Sequence, residues 1–268
     1  MALIDISGGG TLHYEQIGSG PPLALLLPQS KGPLGLGRLI NALARHHTVI
    51  TYDQRGTGAS SRVPEGLSIV QQASDVIKLL DRIGIKRTAL LCHSTGCGIG
   101  ISAAASNPDR IGALMLAAPW TYADIHVTTM QNLRMAAART LEPTQYAHFN
   151  AALLYPPEFR RANQAGFQIM ADDAPANPQD AKIISQRLDA ILAFDARPVL
   201  PSIKSPTLVT TAKDDQLMPP WFAAEVAQAI TNAEFFQLDG GGHMLLETRT
   251  TEIAEVALTF LTRHSAAS

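Results

Sequence analysis

The stretch Leu90-Leu91-Cys92-His93-Ser94-Thr95-Gly96-Cys97-Gly98 runs an apolar segment straight into a serine, and small residues continue over 99–106. A buried strand that turns abruptly into a helix produces this pattern. The tight bend pushes the serine Oγ outward, and the crowding around it admits only small neighbours. Such a nucleophile elbow follows G-x-S-x-G; Cys92 stands at the first position and is small enough to sit beside the bend.

Working outward, short apolar runs bounded by turn residues recur at 23–27, 48–52, 88–92, 113–118, 207–211 and 234–238. Continuous apolar runs of this length predict strands covered on both faces, as in a parallel sheet. Residues 11–16 (TLHYEQ) alternate as a half-buried strand does. Between the runs, Ile69, Ala73, Val76, Ile77, Leu80 and Ile83 repeat at helical spacing, and Ser68 with Gln71 has the pattern of a capping box. Segments 221–230 and 251–263 read as amphipathic helices too. Alternating strands and helices predict an α/β fold with a mostly parallel, doubly wound sheet. Residues 121–201 break the rhythm with helical segments such as 130–140 and no strand, and they are too long for an ordinary loop. A core of 1–120 and 202–268 with a helical cap of 121–201 is expected.

Composition narrows the functions. The chain has 268 residues, 46% hydrophobic and 16% charged, enough to build a core and too few charges for a disordered chain. A net charge of −2 provides no basic footprint for nucleic acid or an anionic membrane. Cys92 and Cys97, the two cysteines, cannot make a disulfide framework or a four-ligand zinc site. MALIDISGGG lacks the layout of a signal peptide, and no apolar run approaches ~18 residues, so a cytoplasmic protein is expected. Gly96 and Gly98 suggest a dinucleotide loop, but Ile101 occupies the place of the third glycine. No cofactor is expected.

Two more loops bear on Ser94. Ala212-Lys213-Asp214-Asp215-Gln216-Leu217-Met218-Pro219 follows one predicted strand and Asp239-Gly240-Gly241-Gly242-His243 follows the next. Both fall at the C-terminal rim, where open α/β sheets place ligands. A serine hydroxyl is a weak nucleophile without an imidazole base, and the imidazole needs a carboxylate to fix its tautomer. Asp214 or Asp215 could supply it. His93 reads as packed against neighbouring strands, Asp53 and Arg55 as a pair fixing their own loop, and both cysteines as small core residues.

Gly18–Pro22, Tyr52-Asp53-Gln54-Arg55-Gly56-Thr57-Gly58, the elbow and Asn107-Pro108-Asp109-Arg110, with the two loops above, together resemble the α/β-hydrolase family. The YDQRGTG stretch with Leu153-Leu154-Tyr155-Pro156-Pro157-Glu158-Phe159 is similar, more narrowly, to aminoacrylate hydrolases of pyrimidine breakdown. The resemblance implies the α/β-hydrolase fold, with the cap inserted after the sixth strand. It implies Ser94 as nucleophile, His243 as base, and Asp215, by its spacing to Pro219, as the acid. It further implies an oxyanion hole from the backbone N–H of Thr95 and a second donor in Pro28-Gln29-Ser30-Lys31-Gly32, where relatives often carry His-Gly; Ser30 N–H is the candidate.

The cap carries Arg134, Arg139, Arg160, Arg161 and Arg187 with His126, His148 and Tyr155, and an inward arginine would hold a substrate carboxylate bidentately. Pocket candidates are Trp120, Gln29, Tyr155 and Arg134. The expected activity is that of a cofactor-free serine hydrolase acting on a small polar ester, lactone, amide or enamine. The same fold also supports a dioxygenase-type or C–C bond-cleaving enzyme that uses the His–Asp pair as base, or a non-catalytic ligand receptor. The expected partner is a small-molecule substrate, with the oligomeric state open between monomer and homodimer.

Overall fold

In a strand, successive side chains point to opposite faces, so a run that is apolar throughout needs cover on both. The computed structural model of the protein, which describes residues 2–6, 10–28, 32–62, 67–176 and 180–265, meets this need on both sides of an eight-stranded sheet. The strands are β1 (Ala2–Ile6), β2 (Gly10–Ile17), β3 (Pro22–Leu26), β4 (Thr48–Tyr52), β5 (Thr88–His93), β6 (Ile111–Ala117), β7 (Thr207–Ala212) and β8 (Glu234–Leu238). Helices α1 (Gly37–Ala44), α2 (Ile69–Arg82) and α3 (Thr95–Ser106) precede β6. Between β6 and β7 lie α4 (Ile125–Thr140), α5 (Pro143–Leu154), α6 (Pro157–Ala162), α7 (Gln164–Asp173) and α8 (Ala181–Leu192). Then come α9 (Pro220–Ala229), α10 (Leu245–Thr248) and α11 (Thr250–Ser265).

The strand order is β1-β2-β4-β3-β5-β6-β7-β8, antiparallel from β1 to β4 and parallel from there on. Ala24 and Leu26, Leu90 and Cys92, and Leu114 and Leu116 face the core under α2, α3 and α9. The alternate residues Leu23, Leu25, Leu91, Ala113 and Met115 meet Leu39 and Leu43 of α1 and Ile253, Ala257 and Phe260 of α11 on the other side. Strand β1 is not anticipated in the sequence. It is five residues long, sits at the sheet edge and buries only Ile4 and Ile6.

Helix α3 lies flush against the sheet, with every residue from Thr95 to Ala104 buried. Glycines permit this approach. A Cβ on Gly96 would collide with the Leu26 carbonyl oxygen, one on Gly100 with the Cys92 sulfur, and one on Gly98 with the Trp120 ring at 2.7 Å. Trp120, fully buried, fills the gap over Gly98 and meets Phe194 edge-on at 5.7 Å.

The turn after β4 departs from expectation. Asp53 and Arg55 do not pair with each other. Asp53 Oδ2 bonds His13 Nδ1 at 3.0 Å and accepts the Ala59 N–H, whereas Arg55 forms a buried two-bond ion pair with Asp75 of α2. Each side chain finds its charged partner on another element, Asp53 on β2 and Arg55 on α2.

If the glycine seat sets the position of α3, Gly96→Ala will lower thermal stability by about 1–3 kcal/mol, as forced overpacking does. It will also slow covalent labelling of Ser94 by a serine-directed phosphonate. Denaturation curves and labelling rates against wild type check both effects.

Candidate active site

Ser94 joins β5 to α3 with φ 52° and ψ −120°. A non-glycine residue at positive φ is strained, and such strain persists only where the surroundings fix it. Here the Ser94 N–H donates to the Ala117 carbonyl at 3.0 Å and the Ser94 carbonyl accepts the Cys97 N–H at 2.7 Å. Thr95 opens α3, so its N–H belongs to the first-turn amides that have no acceptor within the helix, at the positive end of the helix dipole. It lines the same cavity as Ser94.

The loops after β7 and β8 meet at this bend. His243 Nε2 lies 2.8 Å from Ser94 Oγ, and His243 Nδ1 lies 2.9 Å from Asp215 Oδ2. All three residues are at most 5% exposed. The second Asp215 oxygen accepts the N–H groups of Leu217 and Met218, each at 2.9 Å, which fixes the carboxylate in place. Asp214 turns away and accepts the Gly242 N–H at 2.8 Å, bracing the loop that carries His243. Gly242 has φ 64°, and a Cβ there would strike Pro156 and come within 2.9 Å of the Leu154 carbonyl. That carbonyl accepts the Met244 N–H at 3.3 Å, so the inserted helices touch the histidine loop directly.

His93 also touches the site. Its Nε2–H donates to the His243 carbonyl at 2.7 Å, and the two rings lie 5.4 Å apart. Burial is the main cause, and His243 a lesser one, that pushes the His93 pKa down to about 3. His93 therefore remains a neutral donor over the working pH range.

A cavity of about 50 Å³ lies over Ser94. Ser94, Thr95 and His243 form its floor; Leu154, Ile184 and Leu188 enclose it, and Arg134 and Arg187 supply its charge. Of the sequence candidates, Arg134 reaches this wall. Trp120 does not; it is locked into the core over Gly98. Tyr155 does not either. It borders an adjacent cavity of about 600 Å³ among the inserted helices, and its hydroxyl donates to Glu247 Oε2 at 2.8 Å. Gln29 and Ser30 lie outside the described residues.

Sequence reasoning missed Tyr146 and Asn150 on the wall, and Glu247 behind it. Glu247 also accepts the Leu34 N–H at 2.8 Å, and burial raises its pKa despite that bond and the one from Tyr155. Its signal was an acid set directly after Leu245-Leu246 in an apolar turn. Among the described residues, no group of three or more His, Cys, Asp or Glu could hold a metal ion, and no helix is long and apolar enough to cross a membrane.

A family model for the alpha/beta hydrolase fold matches residues 31–250. The chain belongs to the α/β-hydrolase family. Consistent with this, it is 32% identical over 254 residues to a protein of Azorhizobium caulinodans named carbamate hydrolase RutD, covering 94% of this chain and 96% of the other. The crystal structure of an enol-lactonase from Burkholderia xenovorans superposes with a TM-score of 0.84 at 26% identity, covering 97% of this chain and all of that one. A bromoperoxidase from Bacillus anthracis, at 23% identity and a TM-score of 0.86 over 97% of this chain and 99% of its own, shares the fold. This α/β-hydrolase is an enzyme, a hydrolase of that fold.

His93 makes a pH-dependent contribution with a definite sign. Unfolded, its imidazole takes a proton near the ordinary value of 6.5; buried, it does so only near 3. Between these values the unfolded state binds one more proton, so stability falls as pH falls through that window. In urea denaturation from about pH 6.5 to pH 4, wild type will lose stability more steeply with falling pH than His93→Gln.

Proposed function

We propose that this α/β-hydrolase is a cofactor-free serine hydrolase acting on a small polar ester, lactone, amide or enamine. The observation that carries the reading is the unbroken hydrogen-bonded chain from Ser94 Oγ through His243 to Asp215 at the floor of the cavity. Ser94 Oγ attacks the substrate carbonyl as its proton passes to His243 Nε2. Asp215 holds the Nδ1–H and stabilises the imidazolium that forms. The Thr95 N–H and a second donor in the loop after β3, for which Ser30 stays the candidate, hold the developing oxyanion. Collapse of the tetrahedral adduct expels the leaving group, which takes the proton from His243. Water, deprotonated by the same imidazole, then releases the acid and restores Ser94.

Two relatives' names support this chemistry, since a carbamate and an enol-lactone both present a small carbonyl centre to a nucleophile. In this reading residues 121–201 serve as a cap that limits substrate size and excludes bulk water. Both cysteines are free and buried, in keeping with a cytoplasmic enzyme.

A fluorophosphonate will add once, at Ser94, as read by peptide mass spectrometry, and Ser94→Ala will abolish both adduct and turnover. Full turnover by Ser94→Ala would instead assign the chemistry to direct proton abstraction from substrate by His243. Asp215→Asn will lower kcat by roughly 10⁴-fold, because the amide favours the wrong imidazole tautomer. Steady-state kinetics of Asp214→Asn will show a far smaller loss, since Asp214 bonds the Gly242 N–H while the His243 ring is held by Asp215.

A further inference from the structure

Among the described residues, the charge on the roof of the Ser94 cavity has no counterion. Arg134 comes from α4 and Arg187 from α8, two helices that pack together over the site. Among the described residues neither guanidinium has a carboxylate within 4.0 Å. Arg134 Nη1 donates to the neutral Gln131 Oε1 at 3.0 Å, while Nε of Arg134 and Nε of Arg187 are buried without a partner. Desolvation lowers both pKa values, and the proximity of Arg134 helps push Arg187 down to about 9. The buried Arg55, by contrast, is matched by Asp75.

Two neighbouring cations whose Nε edges are buried without a partner are costly to the fold, because that edge of each has given up water without gaining an acceptor. Both side chains line the cavity whose floor holds Ser94. A guanidinium presents a planar fork of N–H donors matched to a planar oxyanion, and two forks enclose a carboxylate better than a spherical ion.

We propose that Arg134 and Arg187 form a carboxylate-binding subsite, so that the substrates are short acyl compounds bearing a free carboxylate at the end opposite the scissile carbonyl. This rests on the reading of Ser94 as nucleophile. It narrows that reading from small polar substrates in general to anionic ones, and it sets their orientation, with the acid end toward α4 and α8 and the reacting carbonyl toward Ser94.

The test pairs a substrate comparison with a measurement that needs no turnover. Monomethyl succinate and dimethyl succinate present the same ester with and without a carboxylate. Wild type is expected to favour the monoester in kcat/KM, and Arg134→Met and Arg187→Met to lose about 100-fold or more on the monoester while changing little on the diester. Independently, succinate alone should bind wild type in calorimetry and raise its Tm. Each single variant should lose that binding, whereas Arg187→Lys, which keeps the charge but not the fork, should retain part of it. Fluorophosphonate labelling of Ser94 in every variant verifies that the fold and the nucleophile are intact. Equal succinate binding by wild type and both methionine variants, or a wild-type preference for the diester, overturns the subsite. Loss of Ser94 labelling in wild type would instead strike at the nucleophile, leaving succinate binding to decide the subsite by itself.

Discussion

The rest of the structure depends on the backbone at Ser94. Holding a serine at φ 52° costs about 1–3 kcal/mol, which the surroundings must offset. They do so with backbone hydrogen bonds on both sides of the residue and a helix seated on glycines so closely that no other side chain fits. The return is geometric. The hydroxyl projects above the C-terminal rim of the sheet, Thr95 at the start of α3 lines the same cavity, and the loops after β7 and β8 need only be short to reach it.

Charge is handled in two opposite ways around this bend. Arg55 with Asp75 and His243 with Asp215 are matched within the protein, and the Asp215 carboxylate has its second oxygen filled by backbone amides. These pairs set positions: the first anchors the turn after β4 to α2, the second fixes the ring of His243. Arg134 and Arg187 hold charge open. A protein selected for stability alone would replace them with apolar residues of similar volume. Their presence above Ser94 belongs to binding rather than to folding.

Legibility in the sequence followed the strength of the local pattern. The buried strands β3, β5, β6 and β7 were visible because both-face burial demands unbroken apolar runs, and the boundaries of β4 and of the half-exposed edge strand β8 also agree with the residues themselves. Edge strand β1 escaped because five half-exposed residues make almost no pattern. Ser94 and His243 could be listed from loop order, Asp215 was separated from Asp214 only by the family resemblance, and the structure brings the three side chains together. Side-chain direction on the inserted helices could not be read. Arg134 and Arg139 lie five residues apart on α4, one turned into the cavity and the other outward, and nothing in their sequence surroundings separates them. Trp120 looked like a wall residue because it follows a strand end. The decisive partner was Gly98, whose missing side chain makes the space that the indole fills.

The contact between Leu154-Tyr155-Pro156 and the histidine loop has an evolutionary consequence. The Leu154 carbonyl holds Met244, Pro156 packs on Gly242, and the Tyr155 hydroxyl reaches Glu247, one turn beyond His243. The inserted segment is thus not a free module joined to the core only at its two ends. It carries an internal docking point on the loop that bears His243. Lineages can redraw wall positions on α8, such as Ile184 and Leu188, to admit new substrates, whereas α4 is itself registered on the core through His126 Nε2, 2.8 Å from the Gln216 carbonyl. The α5–α6 junction is where such drift must stop, because a shift there moves the imidazole along with the roof.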